Sequence, residues 1–187
     1  LVAADKANPN IYAVMIENIK ESRPPSGLDK ASVVYEALAE GGISRFMALY
    51  PVTTAVEEIG PVRSARPYYI SWAEEYNQPL YVHVGGSPQA LDYLRTNQSN
   101  VIDFNQFRHG PNFWRDKTRF APHNLYTSTE KLFLGLKSVA PEAVPAYTPW
   151  KFKDEAEESV RPASQNDVVI EYSSFNYRVT YKHDRTA

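Results

Sequence analysis

Leu80-Tyr-Val-His-Val84 runs straight into Gly85-Gly-Ser-Pro88 and on into Gln89-Ala-Leu-Asp-Tyr-Leu-Arg95. A short apolar run rich in β-branched and aromatic residues reads as a buried strand. The glycine pair turns the chain. Ser87 reads as a helix N-cap and Pro88 as a first helical residue, so a helix follows from about 88 to 96. A strand, a tight glycine turn and a helix in succession predict an α/β fold.

Working outward, Ile11-Tyr-Ala-Val-Met-Ile16 is a second buried strand, and Arg23-Pro-Pro-Ser-Gly27 interrupts both regular patterns. Ala31 to Ala39 and Ile43 to Tyr50 flank Glu40-Gly-Gly42. Two readings fit this stretch: a β-hairpin around the glycines, or a helix over Asp29 to Ala39 capped by Gly41. Ser64 reads as the cap of an aromatic helix near 65–77. Val101 to Pro122 is irregular, with short strands near Val101 and Phe113. Thr127-Ser-Thr-Glu130 has capping-box spacing and opens a helix near 128–138. These elements predict a mixed sheet flanked by helices over residues 8–140. Pro141, Pro145, Pro149 and the acidic Asp154 to Glu158 mark a linker over 141–166. Asp167 to Tyr172 and Asn176 to Lys182 alternate apolar and polar residues, predicting a hairpin within 167–187 that begins a β-rich second domain. A lone hairpin is marginal in water. Val168, Ile170, Tyr177, Val179 or Tyr181 are therefore expected to touch the main domain or another copy of the chain, which makes self-association through the hairpin an expectation.

Composition narrows the function. The 187 residues are 43% hydrophobic and 13% aromatic, enough for a packed core. A formal charge of -2 argues against a globally basic nucleic-acid binder. There are no cysteines, which excludes disulfides, thiol catalysis, zinc–thiolate sites and iron–sulfur clusters. No apolar run is long enough to span a bilayer.

Three places could carry chemistry. Gly60-Pro-Val-Arg-Ser-Ala-Arg66 sets Arg63 and Arg66 three residues apart before a predicted helix, suited to a phosphate or carboxylate. The competing reading pairs them with Glu57, Glu58 or Glu74. Gly85, Gly86 and Ser87, with His83 just before, lie where ligands of α/β folds sit, and their backbone could hold an oxyanion. The alternative is a plain turn with a serine cap. The loop Trp114-Arg-Asp-Lys-Thr-Arg-Phe-Ala-Pro-His-Asn124 offers Arg115, Arg119, His123 and Asn124. For an enzyme, His123 must lie within about 3 Å of a carboxylate, hydroxyl or ligand atom. The favoured reading makes His123 a structural hydrogen-bonder lining the cleft. No metal motif occurs, although His83, Asp103 and His123 could converge. No metal and no cofactor are implied.

Ala13-Val-Met-Ile-Glu-Asn18, Ala31-Ser-Val-Val-Tyr-Glu36, Glu40-Gly-Gly-Ile-Ser-Arg-Phe46, Gly60-Pro-Val-Arg-Ser-Ala-Arg-Pro67 and Pro122-His-Asn-Leu-Tyr126 resemble, in order, the YerB-like lipoproteins of Gram-positive bacteria. The resemblance implies an exported protein held outside the membrane by a lipid on an N-terminal cysteine that this chain does not contain. It also implies that the 167–182 hairpin begins a separate C-terminal domain. It implies no established activity. The order of Gly60-Pro-Val-Arg63 and Gly85-Gly-Ser-Pro88 also resembles LytR-CpsA-Psr proteins, which transfer anionic glycopolymers from polyprenyl-pyrophosphate carriers. Ser64 stands where that family has aspartate. The expectation is an extracytoplasmic, envelope-associated domain that binds an anionic polymer or lipid-linked phosphate through Arg63, Arg66, Arg115, Arg119, His123, Asn124, His83 and the Gly85–Ser87 backbone. Phosphoglycan transfer or phosphoester cleavage is the enzymatic alternative, and a ligand-free interaction module is the third.

Overall fold

The computed structural model describes residues 8–96, 98–148, 150–151, 154, 156–161 and 167–182. A five-stranded mixed sheet is built from β1 (Ile11–Glu17), β2 (Val33–Leu38), β3 (Ser44–Pro51), β4 (Leu80–His83) and β5 (Ile102–Asn105), in the order β2-β3-β1-β4-β5. β1 pairs antiparallel with β3 and parallel with β4, and β4 pairs parallel with β5. The fold is therefore the expected mixed α/β sheet.

β1 is central, and all seven of its residues are buried. Side chains alternate across a strand, and the core divides by that parity. Tyr12, Val14 and Ile16 join Ala48, Leu80, Val82 and Phe104 on one face, beneath Leu132 and Leu136 of α3 (Thr129–Val139). Ala13 and Met15 join Met47, Leu49 and Tyr81 on the other. There α1 (Pro67–Ala73) contributes Tyr69, Ile70 and Ala73, and α2 (Pro88–Arg95) contributes Ala90 and Leu94. A strand covered on both faces reads as an unbroken apolar run, which is why Ile11 to Ile16 shows no alternation.

Of the two readings of 31–39, the hairpin is the one that forms. β2 pairs with β3 from Val33↔Leu49 to Leu38↔Ser44. Gly41 and Gly42 turn the chain at φ of 66° and 72°, which a glycine adopts without steric cost. Ser87 caps α2 as expected, accepting the Ala90 N–H. Two predicted caps are corrected. Arg66 occupies the N-cap position of α1, and Ser64 lies upstream in a segment pinned to the sheet, where Ala65 pairs with Gly86. At α3 the cap is Ser128, which accepts the Lys131 N–H. Thr127 instead bridges to Ile59 and donates its hydroxyl to the Asn112 carbonyl. The short strands of the irregular region are β5 and β6 (Trp114–Arg115), the latter paired with β7 (Leu125–Tyr126).

β8 (Val168–Glu171) and β9 (Arg178–Tyr181) form the expected C-terminal hairpin. It docks through its turn and through Tyr177 rather than through β8. Arg23 lies 5.0 Å from the Tyr177 ring centroid and donates to the Asn176 carbonyl, while Tyr172 donates to the Glu36 carbonyl and Ser173 to that of Gly42. Val168, Ile170 and Tyr181 remain exposed. Part of the predicted linker lies outside the described residues. Its first half lies along the main domain, where Ala143 and Tyr147 accept from Asn10 and Asn8, and Tyr147 donates to Pro9.

Two glycines test this packing. A Cβ at Gly135 would overlap the Phe104 ring under α3, whereas one at Gly110 meets nothing within 4 Å. Gly135→Ala should destabilise the fold by about 1–3 kcal/mol in denaturant unfolding, the usual cost of overpacking. Gly110→Ala should be close to neutral.

Candidate functional site

The parallel pairing of β1 with β4 runs from Tyr12↔Leu80 to Val14↔Val82. Beyond it, the segment 61–65 takes the place between the two strand ends. The Arg63 N–H bonds the Met15 carbonyl, and the Arg63 carbonyl accepts from Val84. Ala65 donates to Gly85 and accepts from Ser87, and Glu17 donates to Pro61. Arg63 is thereby held at the carboxyl ends of parallel strands, the place where α/β sheets carry their ligands.

Glu17, the last residue of β1, is the hub of this region. Its side chain is 4% exposed, with Oε1 3.0 Å from Arg63 Nε and Oε2 2.6 Å from His123 Nδ1. The Arg63–Glu17 contact is an ion pair out of line for a hydrogen bond. Burying a carboxylate is tolerable only when it is paired, and here both oxygens are engaged. Neither Nη of Arg63 and no Nε2 of His123 has a hydrogen-bond partner among the described residues. Their side chains are 23% and 25% exposed, so both reach the surface.

Arg66 clasps Glu40 with Nε and Nη2 and bonds the Ala65 carbonyl with Nη1. The bidentate clasp drives the Glu40 carboxyl down to about 2. Arg45, opposite Glu17 on β3, donates to the Ser64 carbonyl and lies 3.8 Å from Glu40. Burial lowers its pKa, and the neighbouring Arg66 and Arg63 lower it further. Three guanidinium groups thus share one end of the sheet with two carboxylates.

The other predicted residues are engaged internally. His83 is fully buried, with Nδ1 2.7 Å from the Gly85 carbonyl and Nε2 2.8 Å from Asp103 Oδ1. Both ring nitrogens are thus engaged, one by a carbonyl and the other by a carboxylate, and the ring is clamped from both sides. Burial alone would raise the Asp103 carboxyl, but bonds from His83 and Arg108 outweigh it and hold it below the usual range. His83 and Asp103 meet, while His123 sits on Glu17 instead. Among the described residues no three histidine or carboxylate side chains form a metal cluster. The expected oxyanion cradle loses two donors, since the Gly85 N–H goes to Asn105 Oδ1 and the Ser87 N–H to Ala65. Arg119 donates to the carbonyls of Ser22 and Pro24, and Arg115 to Asn124 Oδ1. Asn124 ties the loop to itself through the carbonyls of Asp116 and Arg119. These three staple loops together rather than converging on Arg63.

Glu17, Glu40 and Arg45 belong to this site although none of the three candidate motifs in the sequence points to them. Glu17 had a signal: a charged residue closing an otherwise apolar, buried strand. Glu40 and Arg45 had none, because the groups they hydrogen-bond, Arg66 and the Ser64 carbonyl, lie 26 and 19 residues along the chain.

The family model described as "Protein of unknown function (DUF3048) N-terminal domain" matches residues 1–141. The chain is 34% identical over 181 residues to "Putative lipoprotein YerB" of Bacillus subtilis (strain 168), across 94% of this chain and 52% of that protein. The crystal structure of the YerB protein from Bacillus subtilis superimposes with a TM-score of 0.77 at 30% identity, covering 96% of this chain and 58% of that one. The chain spans about half the length of the curated relative it matches.

The pairs at this end of the sheet make two predictions. Glu17→Gln leaves Arg63 and His123 without their shared anion, and should cost about 2–4 kcal/mol of unfolding free energy in denaturant, toward the low end of losses from buried pairs. Glu40 is depressed in the folded state, so its contribution is present above the unfolded carboxyl value of 4.5 and is lost as pH falls toward about 2. In acid unfolding followed by circular dichroism, Glu40→Gln should show a shallower loss of stability across that window than the parent chain. The difference should be small, because Glu40 is 62% exposed and screened.

Proposed function

The chain belongs to the DUF3048 N-terminal-domain family, and from that premise we propose that it is an extracytoplasmic, lipid-tethered envelope domain that binds an anionic group at the carboxyl ends of β1 and β4. The tether and location follow the name of the lipoprotein relative. No helix among the described residues is long and apolar enough to cross a membrane.

One observation carries the ligand class. Arg63 and His123 hang from the two oxygens of one buried carboxylate, and among the described residues the Arg63 Nη atoms and His123 Nε2 remain without a hydrogen-bond partner. A guanidinium fork beside an imidazole suits a phosphate or carboxylate oxygen. Glu17 sets the position of both groups before the ligand arrives, which lowers the ordering cost of binding. Arg45 and Arg66 add positive potential behind them. Phosphoester transfer or cleavage is the second reading, supported by the Glu17–His123 pair, since a carboxylate that orients an imidazole is the arrangement a general base needs.

Calorimetric titration with inorganic pyrophosphate tests the proposal. Arg63→Ala should weaken binding about 10- to 100-fold, the loss of one charge-assisted bond. Arg115→Ala should leave it unchanged. Absence of saturable binding by the parent chain, or equal affinity in Arg63→Ala, overturns the reading. Phosphoester turnover that disappears in His123→Ala with the fold intact would favour the enzyme.

A further inference from the structure

A second groove lies away from the arginines, where the chain after α3 returns along the main domain. It consists of two adjoining hollows of about 280 and 440 Å³, which share Tyr76, Tyr147, Thr148 and Trp150 as walls. The first is floored by apolar residues of β1, β2 and β3, including Ile11, Val33 and Leu49. The second carries Glu74, Glu75, Asn77 and Asn100. Their combined size is that of a small-ligand cleft.

The aromatic side chains are fixed in place. Tyr147 meets Tyr76 edge to face at 5.4 Å and donates its hydroxyl to Pro9. Trp150, 53% exposed, meets Tyr35 edge to face, and Tyr35 stacks on Trp72. The polar wall is fixed as well. Glu74 Oε1 accepts from Tyr93 and from the Asn100 backbone, and Glu75 Oε2 accepts from Tyr35. Asn100 donates to Asn77 Oδ1. Among the described residues, Asn77 and Gln78 are the non-glycine residues with positive φ, at 44° and 61°. Such backbone strain persists where surrounding structure imposes it, and it gathers at ligand clamps.

The open chemistry of this groove is specific. Glu74 Oε2 and Glu75 Oε1 have no hydrogen-bond partner among the described residues, so the polar wall offers charged acceptors. The tyrosine hydroxyls nearby are already bonded. A ligand for this site must bring its own donors and an apolar C–H face for the rings. Sugars have both, with hydroxyls to donate to carboxylates and ring C–H groups to lie against aromatic faces. Phosphorylated ligands are repelled by the two carboxylates. A proline-rich peptide gives the open carboxylate oxygens few donors, because proline has no backbone N–H.

We propose that the groove of Tyr76, Tyr147, Trp150, Glu74 and Glu75 is a binding site for a neutral saccharide, separate from the anion site at Arg63. The site draws one wall from the returning segment, so Tyr147, Thr148 and Trp150 are part of the ligand-binding surface. The test is a titration with chitotetraose and with maltotetraose up to millimolar concentration, followed by tryptophan fluorescence and calorimetry. Saturable binding of at least one is expected, with a change in tryptophan emission. Trp150→Ala should weaken it about tenfold, and Glu75→Gln, a near-isosteric change at an exposed side chain, several-fold with an unchanged melting temperature. No saturable binding of either oligosaccharide, or full affinity in both variants, overturns the proposal. Displacement of the sugar by decaproline also overturns it, since it would assign the groove to a peptide.

Discussion

The buried carboxylate of Glu17 is the constraint on which this end of the molecule depends. A carboxylate out of water must be paired with charges and donors. Here the partners come from two distant segments: Arg63 from the stretch that crosses between β1 and β4, and His123 from the loop before β7. One ionised group therefore fixes three parts of the chain against one another. The same demand explains why the end of β1 is polar although the strand is otherwise a continuous apolar run. Its side chain serves the loops, while its backbone still pairs with β3 and with Pro61.

The crossing segment shows how local backbone bonding creates a site. Gly60 approaches so closely that a Cβ would lie 2.8 Å from the Leu125 carbonyl. From there the chain bonds in turn to β1, to β7 and to the Gly85-Gly86 turn. Arg63 and Arg66 thus occupy defined positions before the first turn of α1 begins. Their opposite fates follow from their neighbours. Arg66 meets the exposed Glu40 and gives it a full bidentate clasp, whereas Arg63 meets a carboxylate that His123 also uses and keeps its outer nitrogens open.

The two proposed sites are complementary in charge. One end of the sheet gathers guanidinium groups, and the groove beside α1 presents carboxylates between aromatic walls. A domain that meets polymers bearing both sugars and phosphates would need surfaces of both kinds, and the two can be perturbed separately because they share no residue.

The sequence by itself determined the elements. The apolar runs at 11–16 and 80–84, the Ser87-Pro88 helix start and the alternation in 168–181 are local patterns, and strand periodicity and capping are local physics. It also determined the mixed α/β class and the resemblance to the family. Only the tertiary structure decided between hairpin and helix for 31–39, because the pairing of β2 with β3 outweighs propensity in a segment compatible with both. It likewise moved the caps from Ser64 to Arg66 and from Thr127 to Ser128, since long-range bridges at Ala65 and Thr127 claim those backbones first. The candidate site was legible in Arg63 and His123 but not in what joins them. Asn124, Arg115 and Arg119 share their loop with His123 yet hold that loop together, and nothing in residue type separates a stapling arginine from a binding one. The difference lies in which carbonyl or carboxylate stands within hydrogen-bond reach, and the folded chain alone sets that distance.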